Sequence, residues 1–288
     1  MAAKNPQGQH LDAGRPLRHG EGAMRAIVRS FLLFLLSAGP AGAAPAATAL
    51  EAGESAGVAR VVDGDTVVLD RAIGTATEVR LVGIQAPKLP LGRPGFPTWP
   101  LAWDAKRALE RLVLGHRVSL SFGGRRMDRH GRLLAHLHAA DGAWIQGEML
   151  RLGLARVYSF ADNRALIPEM LALERQARAA GRGIWGHPFY AIRTPAGAAR
   201  HIGTFQIVEG TVLDAARVKG RIYLNFGPDW RTDFTVTVAS RAQRLFRRAA
   251  LDPLALEGRR LRVRGWIRDF NGPLIEATHP GQIEVTAD

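Results

Sequence analysis

Two aspartates flank a single glycine in Asp63-Gly64-Asp65, between the alternating run Val58, Arg60, Val62 and the returning run Val67 to Leu69. Alone, that tripeptide signals a hairpin turn, because Asp and Gly accept the backbone angles of a tight reversal. More chemistry is suggested near the C-terminus, where Arg260, Arg262, Arg264, Trp266 and Arg268 share one parity and Leu261, Val263 and Ile267 the other. A strand would turn its apolar residues inward and a basic row with one indole outward. Guanidinium groups that follow phosphates beside a ring that stacks on a base form a single-strand nucleic-acid surface. A solvated outer face produces the same alternation. His136 and His138 also alternate, a spacing that can seat a metal, but no third ligand is in view and a sheet-surface role is favoured.

Composition limits the remaining chemistry. The 288 residues contain no cysteine, which excludes disulfides, thiolate metal sites, a cysteine nucleophile and a lipid-anchoring cysteine. Lys and Arg number 39 against 26 Asp and Glu, a formal charge of +13, so the surface draws polyanions such as nucleic acid or anionic lipid. With 47% hydrophobic residues the chain can build packed cores.

The elements that must position these residues follow from periodicity. Strands are expected around residues 58–62, 67–69 and 78–84, then a Pro/Gly-rich loop from Leu89 to Pro100 with Phe96, Trp99 and Trp103 in or beside it. Those rings either stack on bases or cover the domain's open end. Ala105, Ala108, Leu109 and Leu112 then mark a helix that Gly115 stops. Strands near 117–122 and 133–139 precede a helix near 144–152 and another carrying Leu166, Met170, Leu173 and Ala177. After a Pro/Gly/Ala stretch at 194–199, strands are expected at 207–213, 221–226 and 234–238. A helix with a Ser240/Gln243 capping box follows, then strands at 260–267, 274–277 and 282–285. The expected fold class is mainly β with accessory helices, two OB-type β-barrels in tandem over 57–195 and 204–288.

Residues 24–46 have the order of a cleavable secretory signal: Arg25 and Arg29, an apolar run from Ile27 to Leu36, then Ala41-Gly42-Ala43. An uncleaved anchor or a buried helix is the alternative. Residues 1–23 lack periodicity and are read as an unstructured leader. The expected location is periplasmic or secreted, with no stable membrane span after cleavage.

Five segments in order carry a resemblance. They are Val61-Val62-Asp63-Gly64-Asp65-Thr66-Val67, Val79 to Lys88, Asp128-Arg129-His130-Gly131-Arg132-Leu133-Leu134-Ala135, Gly147 to Val157, and Gly183-Ile184-Trp185. Together they resemble the staphylococcal nuclease (thermonuclease) family over about residues 57–189. The resemblance implies a five-stranded barrel with helices and calcium-dependent cleavage of DNA and RNA phosphodiesters, and the expected partner is single-stranded DNA or RNA. Asp65 matches a metal carboxylate, and Arg80 and Arg132 match the catalytic arginines on the phosphate. His130 stands where relatives often place a nucleotide-contacting tyrosine, with Arg129 beside it. A hard cation needs anionic oxygens, and guanidinium groups bind the charge gathering on pentacoordinate phosphorus.

This chain departs from the family at Gln85-Ala86-Pro87-Lys88. Gln85, at the second metal position, offers only a neutral carbonyl oxygen, and Lys88 replaces the glutamate beside the attacking water. Losing one anion weakens a calcium site, and a lysine is a poor general base near neutral pH. Two readings stay open. In one, Asp63, Glu78 or Asp104 completes the metal shell, Lys88 binds phosphate, and the protein is a metal-dependent nuclease. In the other, it binds nucleic acid without cutting, with Arg262, Arg264 and Trp266 of the second unit as further contacts. A third class, an envelope protein-interaction module, has no sequence feature in its favour, and no protein partner is inferable.

Overall fold

The alternation at 58–62 is the middle of a longer strand. In the computed structural model, which describes residues 50–286, β1 (Glu51–Asp63) is followed by β2 (Thr66–Ile73), β3 (Ala76–Leu81), β4 (Ile84–Gln85) and α1 (Ala102–Val113). Then come β5 (Arg117–Phe122), β6 (Leu133–His138), α2 (Ile145–Arg151), β7 (Arg156–Val157) and α3 (Ile167–Ala179). The expected leader and signal segment, 1–23 and 24–46, lie outside the described residues. Residues 51–57, ahead of the first expected strand, pair antiparallel with β5 from Glu51↔Phe122 to Gly57↔Arg117. Their small side chains hid a strand that main-chain bonding makes.

The barrel closes in the order β1-β2-β3-β6-β5, with β3 and β6 parallel. Val58, Val61, Val67, Val79, Leu81, Leu120 and Leu137 fill it, and α1 adds Ala105, Ala108 and Leu109 from the expected stripe. Gly115, at φ 72°, ends the turn after α1. A Cβ on Gly64 would lie 2.6 Å from the Cβ atoms of both Ala105 and Ala86. Only glycine lets the aspartate turn pass this close to α1 and the end of β4.

The C-terminal part contains β8 (Phe205–Thr211), β9 (Asp214–Val218), β10 (Arg221–Asn225), β11 (Thr235–Val238) and α4 (Ser240–Arg248). It ends with β12 (Arg260–Trp266), β13 (Arg268–Asp269), β14 (Pro273–Glu276) and β15 (Ile283–Val285). The strands of this part pair in two sheets rather than in one continuous ladder. A three-stranded sheet, β15-β12-β8, and a five-stranded sheet, β13-β14-β11-β10-β9, enclose one core of residues including Ile222, Leu224, Val236, Phe246, Leu261, Val263 and Ile275. The chain bends between Trp266 and Arg268, leaving one sheet for the other, and Gly265 makes this possible: a Cβ there would sit 2.5 Å from Ile275 Cγ2. The capping box is also absent, because Ser240 Oγ and Gln243 Nε2 both donate to Gly220 O at 2.7 Å.

A buried ion pair joins β12 to α3. Arg264, 1% exposed, donates to Glu174 Oε2 at 3.0 Å and Oε1 at 2.9 Å, and also to Glu284. Burial opposes the charge on Glu174, but Arg264, the Val157 N–H and Arg178 outweigh it and hold the carboxyl below its ordinary pKa. No described helix is long and apolar enough to cross a membrane.

Candidate functional site

Asp65 closes the β1–β2 turn and is fully buried. Its Oδ2 accepts the Ala86 N–H at 2.7 Å, and Lys88 Nζ sits 2.7 Å from Oδ1 and 2.6 Å from Oδ2. The same ammonium lies 3.3 Å from Asp63 Oδ2, and Arg80 Nη2 lies 3.3 Å from Asp65 Oδ2. Burial by itself would raise the Asp65 pKa, but Arg80, Lys88 and the Ala86 N–H together bring it down to about 2. Asp63 moves the other way: burial and the neighbouring Asp65 charge outweigh Lys88 and Arg80, so its pKa is raised. The cluster is therefore a pair of unequal buried carboxylates bridged by one internal ammonium.

Gln85 does not reach into this group as a free ligand. Its Oε1 accepts two N–H bonds from buried Arg156, from Nε at 3.0 Å and Nη2 at 2.7 Å, and Arg156 Nη2 also donates to Phe205 O at 3.0 Å. Burial depresses the Arg156 pKa to about 10. The other carboxylates considered for a metal shell are elsewhere: Glu78 lies 3.7 Å from Arg132, and Asp104 pairs with Arg107 at 2.6 Å on the outside of α1. Among the described residues no three His, Cys, Asp or Glu side chains converge. A calcium ion needs six to eight oxygens, mostly anionic. Here the two available carboxylates already hold a cation, and the neutral third oxygen is spent on Arg156, so the donor set does not fit the family's metal.

Arg80 and Arg132 face a common cleft of about 540 Å³, also lined by Arg125, Asp128, Arg129, His130, Tyr158, Phe160, Asp162 and Trp266. Arg80 is anchored from behind, donating to Asp65 O at 3.3 Å, Leu81 O at 2.5 Å and Ile84 O at 2.6 Å. Arg132 is steered by Asp128, whose Oδ2 accepts from Nε at 2.8 Å while Oδ1 accepts the main-chain N–H groups of His130 and Arg132. Those bonds, against the cost of burial, lower the Asp128 pKa. Arg129 Nε donates to His130 Nε2 at 3.1 Å, so these two side chains form one unit at the cleft edge. Four arginines face two aspartates in the lining, which leaves the cleft cationic.

The basic row on β12 needs correction. Arg264 is buried in its ion pair, and Arg262 is engaged by Glu209, which also holds Arg260 at 3.0 Å. Cross-strand acids on β8, β15 and α3 supplied partners that one strand's alternation could not reveal. Arg264 is thereby withdrawn from the surface, and Arg262 is left with a 15% exposed side chain. Trp266 is different: it is 48% exposed, donates from Nε1 to Tyr158 Oη at 3.0 Å and forms part of the cleft wall. Tyr158 and Phe160 stand edge to face at 4.9 Å. The loop rings mostly pack on protein, Phe96 on Trp99 at 6.0 Å and Trp99 on Phe189 at 5.5 Å. His136 is buried beside Trp144, which lowers its pKa to about 4, and His138 contacts Ser121 Oγ at 3.1 Å.

Sequence reasoning missed Arg125, Tyr158, Phe160, Arg156 and Glu174. Only Glu174 carried a signal, an acid set on the apolar stripe with Met170 and Ala177, where a charge must be paired.

The family described as "Staphylococcal nuclease homologue" matches residues 78–187. The chain is 27% identical to a thermonuclease of Staphylococcus hyicus over 56% of its own length and 92% of the relative's. It is 33% identical to an uncharacterized endonuclease of Escherichia coli over 44% of its length and 74% of the relative's. A thermonuclease of Staphylococcus intermedius is 30% identical over 46% and 77%. The protein belongs to the staphylococcal nuclease family, a family of nucleic-acid hydrolases.

Proposed function

We propose that this protein engages nucleic acid through its phosphodiester backbone in the Arg80/Arg132 cleft, and that it does so without a divalent metal. The observation that carries the reading is the Lys88 ammonium seated on both oxygens of Asp65, at 2.7 and 2.6 Å, and beside Asp63. It supplies from within the chain the positive charge that calcium supplies in the family.

Each side chain then has a physical task. Lys88 and Arg80 keep the Asp65 anion neutralised, so that buried carboxylate does not repel an incoming phosphate. Arg125, Arg129 and Arg132 provide exposed or half-exposed positive charge. Trp266, Tyr158 and Phe160 offer ring edges and faces to unpaired bases, which favours single strands over a duplex.

A second reading, hydrolysis, is supported by family membership and by the retention of Arg80 and Arg132 in one cleft with the buried Asp65 behind Arg80 at 3.3 Å. It requires Lys88 to leave Asp65 before a cation enters. Incubating single-stranded DNA and RNA with the protein in calcium, magnesium or chelator separates the two. Binding that persists in chelator and weakens steeply with salt, without cleavage, supports the first reading. Cleavage dependent on metal and lost in Asp65→Ala replaces it with the second.

Export belongs to the same proposal. Arg25, Arg29 and the apolar run from Ile27 to Leu36 before Ala41-Gly42-Ala43 support a secretory leader. Recovery from the periplasm or medium of a chain beginning near residue 47 is the expected result, and a full-length cytoplasmic product would refute it.

A further inference from the structure

Among the described residues, the outer face of the five-stranded C-terminal sheet stays partly open, with Tyr223 and Asn225 half-buried and Asp214 exposed. Register places Tyr223 on this face between Ala216 and Thr237, with the row Asp214, Asn225, Thr235, Leu274 and Arg268 beside it. The opposite face carries Ile222, Leu224, Val236 and Ile275 into the core. Two loop aromatics rise beside Tyr223: Trp230, 51% exposed, and Phe270, 62% exposed. Together they border a hollow of about 360 Å³ floored by Ala216, Asn225 and Thr235. A second hollow of about 320 Å³ shares Tyr223, Phe270 and Leu274 and ends at Arg221 and Arg268.

The placement of these rings has local causes. Asp229 Oδ1 accepts the Arg231 N–H at 3.1 Å and Asp233 Oδ2 accepts the Asp229 N–H at 2.8 Å, so the β10–β11 loop is a fixed turn that presents Trp230. Arg231 covers the Trp230 ring from 4.4 Å, and Phe270 sits in the β13–β14 turn beside Asn271 at φ 50°. Below, Asn225 Nδ2 donates to Asp214 and Thr235 Oγ1 donates to Asn225 Oδ1, giving the floor an oriented amide. At the far end Arg221, Arg241 and Arg268 crowd around Glu276 at 3.7, 3.0 and 3.7 Å, and Asp269 is the second acid there, so three guanidinium groups face two carboxylates.

We infer that this face is a second binding site for single-stranded nucleic acid, separate from the Arg80/Arg132 cleft. Trp230, Tyr223 and Phe270 stack on bases, and Arg221 and Arg268 take the adjoining phosphates. Flat rings over a shallow floor suit planar bases, and three guanidinium groups against two carboxylates leave a positive excess that suits a polyanion rather than a neutral chain. The inference extends the proposed function to a second surface and does not depend on the cleft.

The test uses the full chain and a labelled oligothymidylate of roughly six nucleotides, within the usual footprint of one such site. Four proteins are titrated: the parent, a cleft variant (Arg129→Ala/His130→Ala), a face variant (Trp230→Ala/Phe270→Ala), and the combination. Both rings in the face variant are exposed, so its melting temperature should equal the parent's. The cleft variant is expected to retain binding that the combination loses, by about tenfold or more from two stacking rings. Loss in the face variant with an unaffected cleft variant would refute the cleft while keeping this site. Equal affinity with and without Trp230 and Phe270 on both backgrounds would overturn it. So would quenching of tryptophan fluorescence by a neutral chitooligosaccharide but not by the oligothymidylate.

Discussion

Replacing Lys88 by methionine isolates the internal cation. The change keeps the chain's length and removes the charge, leaving Asp65 with Arg80 at 3.3 Å and the Ala86 N–H. Removing one partner of a buried pair costs about 3–5 kcal/mol. The Lys88 side chain is 18% exposed, so the lower end applies, about 3 kcal/mol, or a melting temperature lower by roughly 6–12 °C for a chain of this size. Asp63, whose pKa is already raised, loses its main compensating cation. A raised folded pKa favours the folded state at low pH, so the gap between the two proteins must narrow as pH falls toward the ordinary carboxylate range. In the parent, Asp65 sits at about 2 against an ordinary 3.8. That stabilisation, on the order of 2 kcal/mol, is present above 3.8 and lost as pH falls toward 2. Calcium should then separate the proteins. The parent's melting temperature is expected not to respond, whereas the variant, with two vacated carboxylates, should regain about 2.7 kcal/mol once calcium exceeds its dissociation constant a hundredfold. Adding Gln85→Asp should lower the calcium needed. Equal melting of parent and variant in chelator, or an equal calcium response in both, would refute the reasoning.

Arg129→Ala is expected to weaken single-strand binding and to reduce the slope of log affinity against log salt by about 1, the signature of one lost phosphate contact. An unchanged slope would remove Arg129 from the interface. Arg264→Met should cost about 3–5 kcal/mol in chemical unfolding because it strands the buried Glu174, while Arg264→Met/Glu174→Met should recover most of it. His136 and His279 are both buried with pKa values lowered to about 4. The unfolded chain therefore binds more protons between 6.5 and 4, and stability falls across that window as pH drops. Replacing His136 by Phe should flatten the fall by an amount on the order of 3 kcal/mol, read from unfolding at a series of pH values.

The parts of this structure legible in the sequence are those whose information is local. The stripe Ala105, Ala108, Leu109 and Leu112 states a helix outright, and Asp63-Gly64-Asp65 states a turn. Residues 51–57 were illegible because their pairing with β5 is made by the main chain, and small side chains leave no alternation to read. The Lys88 clamp was half legible. The substitution pattern showed that a cation had entered an acidic site, but only the 2.6 Å contact shows that it takes the carboxylates for itself. The β12 arginines misled for the opposite reason, since a strand's own parity says nothing about acids arriving from β8, β15 and α3. Ion pairs between distant segments are decided by tertiary placement, and a periodicity argument sees only one partner.

Those distant pairs also bear on whether the C-terminal part can be removed. Arg156 ties the Gln85 carbonyl to Phe205 O on β8, Arg264 fills the buried carboxylate of Glu174, and Trp266 bonds Tyr158 in the cleft wall. Ending the chain at residue 203 would cut all three. Glu174 would keep only the Val157 N–H at 2.6 Å and Arg178 at 3.1 Å, and Arg156 would lose the ring of Phe205 that lies 4.7 Å from its guanidinium. The truncated barrel should therefore be less stable by several kcal/mol, with hydrogen exchange accelerating first at β7 and α3 rather than evenly. Any loss of nucleic-acid binding in such a truncation would then report a loosened cleft as well as a missing surface, which is why point changes at Trp230 and Phe270 are the cleaner probe. A truncated barrel that melts with the full chain and keeps the exchange protection of Val157 would show that the two parts are stable independently.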